Sequence, residues 1–161
     1  MKKMTLILML ISCLYGCEKD EICIDPITPN LIMRFYDITD ATLLKNITNL
    51  QIKNIDIDSI YINNVTSADS ISFPLNINQD ITKYVLTLNS TDETLINADT
   101  ISISYTRVPI FVSRSCGFKT IFNNISVSVT SDSNNWIKSI EAINTPQNIE
   151  NESQAHVKVL H

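Results

Sequence analysis

Apolar and polar residues alternate with a period of two along most of the chain. The clearest run is residues 100–106, where isoleucine and tyrosine alternate with serine and threonine. Successive side chains of a strand point to opposite faces, so this pattern predicts strands with one buried and one solvated face. The alternation and the many β-branched and aromatic residues predict further strands at 31–36, 50–57, 59–62, 70–73, 84–88, 108–113, 118–122, 125–129 and 157–160.

One segment is ambiguous, because Ile137, Ile140 and Ile143 recur every three residues and fit a helix or a strand. Elsewhere, short strands are separated by polar turns without helical crossovers. This predicts an all-β fold, an antiparallel β-sandwich of immunoglobulin-like or transthyretin-like type. A closed barrel is the second candidate, although barrels commonly use glycine at tight corners and the chain has only two glycines.

The N-terminus has the pattern of a secretory signal, with Lys2 and Lys3 before a mostly apolar run that ends at Cys17. Residues 14–17 resemble the lipobox of bacterial lipoproteins, whose cysteine is acylated and becomes the mature N-terminus. Residues 10–13 match that pattern more closely, but cutting before Cys13 leaves an apolar region near the lower limit of about 7 residues. The run is also shorter than the ~20 residues of a membrane span. We therefore expect a signal peptide at 1–16, a lipidated tether at 17–25 and one β-sandwich domain at 26–161.

The net charge of the chain restricts the classes of partner that it can bind. The chain has 12 basic and 17 acidic residues, and loss of Lys2 and Lys3 with the signal takes the net charge from −5 to −7. An acidic surface argues against binding to nucleic acid or to anionic lipid headgroups. We therefore expect membrane attachment through acyl chains, such as palmitate, on Cys17.

Cysteine usage predicts one disulfide. Of the four cysteines, Cys13 leaves with the signal and Cys17 carries lipid, so Cys23 and Cys116 remain. Two cysteines in an exported protein suggest a bridge, and two buried free thiols are the alternative.

Glycine is almost absent, since Gly117 is the only glycine left after the signal is removed. Glycine-rich phosphate loops, dinucleotide fingerprints and nucleophile elbows are therefore excluded. Asparagine tolerates positive φ better than most residues, so it should form the tight turns. Turns are predicted at the pairs Asn63-Asn64, Asn123-Asn124 and Asn134-Asn135.

Catalytic and metal-binding patterns are weak, and we expect no enzyme and no cofactor. A hydrolase using Ser115 and His156 is an alternative, although His156 is expected to be structural and His161 to be mobile. Asp56 and Asp58 are weak calcium candidates, since calcium needs six to eight oxygen ligands. They would suit a calcium-dependent carbohydrate or adhesion module, whereas solvated loops are the favoured explanation of these acidic residues.

Two arginines lie within apolar or cysteine-bearing stretches. Arg34 and Arg114 would each need a carboxylate partner if buried, and Asp37 is a candidate partner of Arg34 by proximity in sequence. Exposed aromatic residues around Tyr61, Tyr84 or Trp136 would favour a binding module. A deep pocket with His156 and a serine would favour the hydrolase.

Three stretches resemble an uncharacterised family of small lipoproteins of the Bacteroidetes: residues 21–23 with 28–37 (EIC and TPNLIMRFYD), 111–119 (FVSRSCGFK) and 151–152 with 155–157 (NE and AHV). The resemblance implies an outer-membrane address and adds no chemistry. Its implied structural or interaction landmarks are Cys23, Arg34, Asp37, Arg114, Cys116, Gly117 and Trp136.

Two shorter features also resemble signals of that bacterial group. The acidic tract at 17–21 resembles the one that directs lipoproteins to the cell surface, and Ser59, Ser70 and Thr100 lie in tripeptides that resemble its O-glycosylation sequon. We therefore predict a lipid-anchored lipoprotein of the outer membrane, at the cell surface or on the periplasmic face. Its expected role is non-catalytic binding or structural, with an outer-membrane protein as a further partner.

Overall fold

The computed structural model describes residues 22–24 and 27–161, and strands account for its regular structure. The nine strands of this part of the chain are β1 (Leu31–Tyr36), β2 (Ile47–Asn54), β3 (Ser59–Ala68), β4 (Ser70–Phe73), β5 (Ile81–Leu88), β6 (Asn97–Ser113), β7 (Gly117–Val129), β8 (Ser139–Ala142) and β9 (Val157–Leu160). The predicted signal peptide and Cys17 lie outside the described residues, as does most of the predicted tether.

The strands form two sheets around one apolar core. The four-stranded sheet has the order β4-β1-β9-β8, and the five-stranded sheet has the order β3-β2-β5-β6-β7. Side chains of both sheets meet in the core, where Phe73 of β4 packs edge-on against Tyr84 of β5 with ring centroids 4.9 Å apart. The predicted all-β sandwich is confirmed. Neighbouring strands are antiparallel except β1 and β9, which are parallel.

Where apolar and polar residues alternate in the sequence, buried and more exposed side chains alternate along the strand. Strand β1 buries Leu31, Met33 and Phe35 completely and leaves the residues between them half-buried. Each large apolar side chain that is fully buried stabilises the fold by roughly 1.5 to 3 kcal/mol. Strands β1, β4 and β9 have the predicted bounds, and the ambiguous segment contains strand β8 rather than a helix.

Asparagine takes positive φ as expected, but mostly at other positions. Asn134 lies in a turn, whereas the pairs Asn63-Asn64 and Asn123-Asn124 lie inside strands, so those two turn predictions are wrong. Asn124 does have a φ of 55°, at a register shift between β6 and β7. Asn49 and Asn89 also have positive φ, of 47° and 53°. Asparagine therefore replaces glycine at a bulge as well as in turns.

Strands β6 and β7 continue beyond the rest of their sheet. Strand β5 pairs with β6 only as far as Ser104, and beyond that point β6 pairs with β7 alone as far as Ser113 and Gly117. We call residues 107–121 the hairpin arm. At about 3.4 Å per residue, its seven residues on β6 span roughly 24 Å. Pro109 lies within this stretch, where two-stranded pairing leaves one edge of β6 free.

A disulfide joins Cys23 to Cys116 in the turn of the hairpin arm, with the two Cα atoms 4.9 Å apart. The pairing predicted from the cysteine count is confirmed. The segment that precedes β1 follows the arm, since the backbone N–H of Thr120 donates a hydrogen bond to Oγ1 of Thr28 (2.9 Å). The start of the described chain is therefore fixed to the tip of the arm.

Replacing both cysteines, Cys23→Ser with Cys116→Ser, should lower the free energy of unfolding. The bridge closes a loop of 93 residues, for which the loop-closure model gives about 4 to 5 kcal/mol. Urea denaturation of the oxidised wild type and of the double variant measures the difference.

Reductant provides the control for this comparison. It should lower the denaturation midpoint of the wild type and leave that of the double variant unchanged. Equal midpoints for the oxidised wild type and the variant would contradict a stabilising role of the bridge.

Candidate functional site

The tip of the hairpin arm brings together five of the residues singled out in the sequence: Cys23, Arg114, Ser115, Cys116 and Gly117. Residues 114–116 form its turn, with Arg114 exposed and Cys116 bonded to Cys23. The backbone N–H of Cys116 donates to Oγ of Ser113 (3.1 Å). Gly117 has a φ of +70°, and a Cβ there would meet no atom within 4 Å. Glycine is thus required by the backbone conformation and not by lack of space.

Large apolar side chains are exposed on and beside this tip. Phe111 and Phe118 pair across the two strands, with ring centroids 5.4 Å apart, and are 57% and 70% exposed. Single exposed apolar side chains are ordinary, whereas a group of them marks a contact surface. The group, which we call the tip patch, consists of Ile22, Ile24, Ile27, Phe111 and Phe118. Ile110 is also exposed, but it lies on the opposite face of β6 from Phe111.

Two residues of the tip patch, Ile27 and Phe118, line a small and mostly apolar cavity next to the disulfide. The cavity has a volume of about 170 Å³, and Ile27, Val112 and Phe118 line it together with both cysteines. This is below the roughly 300 to 1,000 Å³ of small-molecule pockets. The surface is therefore better suited to contact with a large apolar partner than to enclosing a ligand.

The charge of the arm differs from that of the whole chain. The chain carries a net charge of −5, yet no acidic residue occurs between Asp99 and Asp132. Arg107 at the base of the arm pairs with Asp80, with Nε 2.7 Å from Oδ1. Arg114 and Lys119 lie near the tip. Two cations thus flank the exposed phenylalanines.

Arg34 lies on the outer face of the four-stranded sheet, away from the arm. It is half-buried between Ser70 of β4 and Lys158 of β9 in the strand register, and its Nε has no hydrogen-bond partner among the described residues. Asp37 is not its partner, so that hypothesis is wrong. Asp37 instead pairs with Lys45 at 3.4 Å, and hydrogen bonds from Thr39 lower the pKa of Asp37 to about 2.

Trp136 is part of the core and not an exposed binding residue. Its indole N–H donates to the carbonyl of Leu86 (3.1 Å), and its ring packs against Phe35 and His161. His161 is thus held by aromatic packing, and the expectation that it is mobile is wrong. Burial lowers the pKa of His161. Among the three aromatic residues considered for binding, Tyr84 is also buried and Tyr61 is exposed.

His156 has both ring nitrogens in hydrogen bonds. Nδ1 accepts from the backbone N–H of Ile32 (2.9 Å), so the proton is on Nε2, which lies 3.0 Å from the carbonyl oxygen of Asn151. Burial lowers the pKa of the imidazole and favours this neutral form. Ser115 does not line the cavity of about 150 Å³ beside His156. The imidazole ring of His156 therefore connects β1 to the loop before β9 through hydrogen bonds.

The calcium candidates do not converge with other carboxylates. Asp56 and Asp58 lie in the turn between β2 and β3, where Asp58 has a φ of 49° and pairs with Lys53 at 2.6 Å. Within the described ranges, no group of three or more His, Cys, Asp or Glu residues could hold a metal ion.

The three glycosylation candidates differ in accessibility. Ser59 is exposed at the start of β3, whereas Ser70 and Thr100 are half-buried in strands. Asp99, which precedes Thr100, is fully buried. It accepts a hydrogen bond from the N–H of Ile137 (2.8 Å), and burial raises the pKa of its carboxyl group. Glycosylation at these positions stays a prediction, and a bulky glycan would fit best at Ser59.

The tip patch is the feature that the sequence interpretation missed. Residues 108–113 were expected as an ordinary strand with a buried face. One signal was present: Val108 to Val112 are apolar without interruption around Pro109, and no acidic residue is near. Such a run on a two-stranded arm exposes both of its faces.

Protonation of His156 should weaken the fold. Because burial lowers its pKa in the folded state, the unfolded chain binds the proton more readily below its ordinary pKa of about 6.5. The free energy of unfolding should therefore fall as the pH falls from 7 to 5.5, by less than about 1.4 kcal/mol per pH unit for one histidine. His156→Asn, whose amide oxygen can accept from Ile32, should show a shallower slope in urea denaturation.

Thr82→Val is the matched control. It removes a buried hydroxyl that accepts from the N–H of Asn76 (2.9 Å) but does not titrate. This variant should be destabilised and keep the pH slope of the wild type. A slope unchanged in His156→Asn would contradict the assignment.

Comparison with known proteins identifies one family and no individual relative. No curated protein and no solved structure matches the chain. The family match covers residues 49–161, which include strands β3 to β9 and the hairpin arm with Cys116. Because this range is more than half of the 161 residues, the chain belongs to the family of unknown function DUF6452.

Proposed function

We propose that the protein is a lipid-anchored extracytoplasmic lipoprotein of the outer membrane with a non-catalytic binding or structural role. The observation that carries the proposal is the disulfide between Cys23 and Cys116. Disulfides form and persist in oxidising compartments outside the cytoplasm. This bridge begins six residues after Cys17, where the sequence resembles a lipobox.

The acidic composition supports a lipid anchor over an electrostatic one. A chain with a net charge of −5 would be repelled by anionic headgroups, so stable attachment needs acyl chains. The resemblance of residues 17–21 to the surface-export tract supports display on the outer leaflet. The resemblance of three stretches to Bacteroidetes lipoproteins supports the same address.

Side-chain contacts favour a non-catalytic role over the two alternatives. The hydrolase alternative needs a free base, whereas both nitrogens of His156 hold backbone groups. The calcium alternative needs several converging oxygens, whereas Asp58 is paired with Lys53.

In the part of the chain that the structure describes, there is no helix long and apolar enough to cross a membrane. We propose a second outer-membrane protein as a further partner.

Cys17→Ser should abolish acylation, because the acyl chains are attached through its sulfur and its amino group. Labelling of living cells with a clickable palmitate analogue measures this, and the label on the protein should fall to background. Acyl label is preferable to sedimentation, because an uncleaved signal would also hold a precursor in a membrane.

Cys13→Ser is the matched control, since residues 10–13 form the competing lipobox. It should keep the label of the wild type. Label that is lost in Cys13→Ser and kept in Cys17→Ser would move the anchor to Cys13. A wild type without label would overturn the lipoprotein proposal.

A further inference from the structure

We propose that the tip patch lies in the headgroup and acyl boundary of the membrane that holds Cys17, so that the hairpin arm is a second, non-covalent membrane contact. This inference rests on the anchor proposed above. The lipid-bearing residue supplies attachment, and the arm fixes how the sandwich stands on the surface.

The length of chain between the anchor and the disulfide brings the arm close to the bilayer. Six residues lead from Cys17 to Cys23, and a fully extended chain covers at most about 3.6 Å per residue, roughly 22 Å here. Cys23 is bonded to Cys116 in the turn of the arm. Whatever path the tether takes, Cys23 stays within this distance of the lipidated residue, and the Cα atom of Cys116 at the tip is 4.9 Å from that of Cys23.

The exposed side chains of the tip are those that partition into a membrane interface. Phe111 and Phe118 form an edge-to-face pair that is largely open to water. Phenylalanine, like leucine and tryptophan, supplies the apolar face that interfacial segments bury at the boundary of headgroups and acyl chains. Arg114 and Lys119, beside them, have apolar stems that can lie along the hydrocarbon while the charges stay among the headgroups. The exposed residues Ile22 and Ile24, on either side of Cys23, are held next to the turn of the arm by the disulfide.

The contact should be apolar and not ionic. The four acidic residues of the tether, Glu18, Asp20, Glu21 and Asp25, outnumber Lys19, Arg114 and Lys119, so the local charge gives no strong attraction to anionic lipid. The patch should therefore bind zwitterionic vesicles, and salt at about 1 M should not release it, since salt screens only charge interactions.

Two tryptophan reporters test the contact in the full-length, lipidated protein. Phe118→Trp places an indole in the tip patch. Leu95→Trp is the matched control, because Leu95 is 62% exposed but lies in the loop between β5 and β6, at the opposite end of the sheet from the arm. The native Trp136 is buried and gives a common baseline in both variants.

The proteins are reconstituted into phosphatidylcholine vesicles that contain lipid brominated on the acyl chains. Bromine should quench the added emission of Phe118→Trp roughly twofold and leave that of Leu95→Trp unchanged, since only the first indole reaches the interface. A far-ultraviolet circular dichroism spectrum equal to that of the wild type shows that both variants are folded.

The outcomes separate the inference from the proposed anchor. Protein that floats with the vesicles while Phe118→Trp is unquenched overturns the membrane contact and leaves the anchor at Cys17 intact. Protein that does not float overturns the anchor and the inference with it. A blue shift of Phe118→Trp without quenching would show that a second copy of the chain covers the patch, and would also overturn the lipid contact.

Discussion

The four-stranded sheet depends on where the last strand of the chain lies. Strand β9 occupies the position between β1 and β8, so both neighbours need it as a partner. It is fixed at both ends by histidines. The backbone and the ring of His156 both bond the backbone of Ile32, at 2.8 and 2.9 Å, and the N–H of His161 bonds the carbonyl of Tyr36. Half of the sandwich therefore forms only when residues more than 120 positions apart have met, and such long-range pairing slows folding.

The connection from β7 to β8 crosses from the five-stranded sheet to the four-stranded sheet, and contacts with the hydrophobic core hold it in place. After β7, the chain leaves the five-stranded sheet and reaches β8 through Trp136 and Ile137. Trp136 donates to Leu86 of β5, and Ile137 donates to the buried carboxylate of Asp99 on β6, while the ring of Trp136 packs on Phe35 of β1. The buried carboxylate satisfies a backbone group that would otherwise be unpaired in the core. The residues of this connection therefore bond to β5 and β6 of the five-stranded sheet and pack against β1 of the four-stranded sheet.

The sequence predicts those parts of the fold whose side chains meet the core. Strands β1, β4 and β9 bury every second residue, and their bounds are those predicted from alternation. Strand β3 is at the edge and largely exposed, so Asn63 and Asn64 resembled a turn although backbone bonds to β2 continue past them. The parallel pairing of β1 with β9 joins residues far apart in the sequence, so no local sequence pattern predicts it. At the site, the cysteine pair could be predicted by counting, whereas the partner of Asp37 was set by the fold and not by sequence proximity to Arg34.

The acidic residues and the exposed phenylalanines occupy different parts of the chain. All acidic residues lie outside the stretch from Thr100 to Ser131, which contains the hairpin arm, and the exposed phenylalanines lie within it. With the anchor at Cys17, the arm would present no carboxylate of its own to the lipid headgroups. The strands of the five-stranded sheet would then lead away from the bilayer. The loop at 89–96, at the far end of β6, would be the part most accessible to a partner.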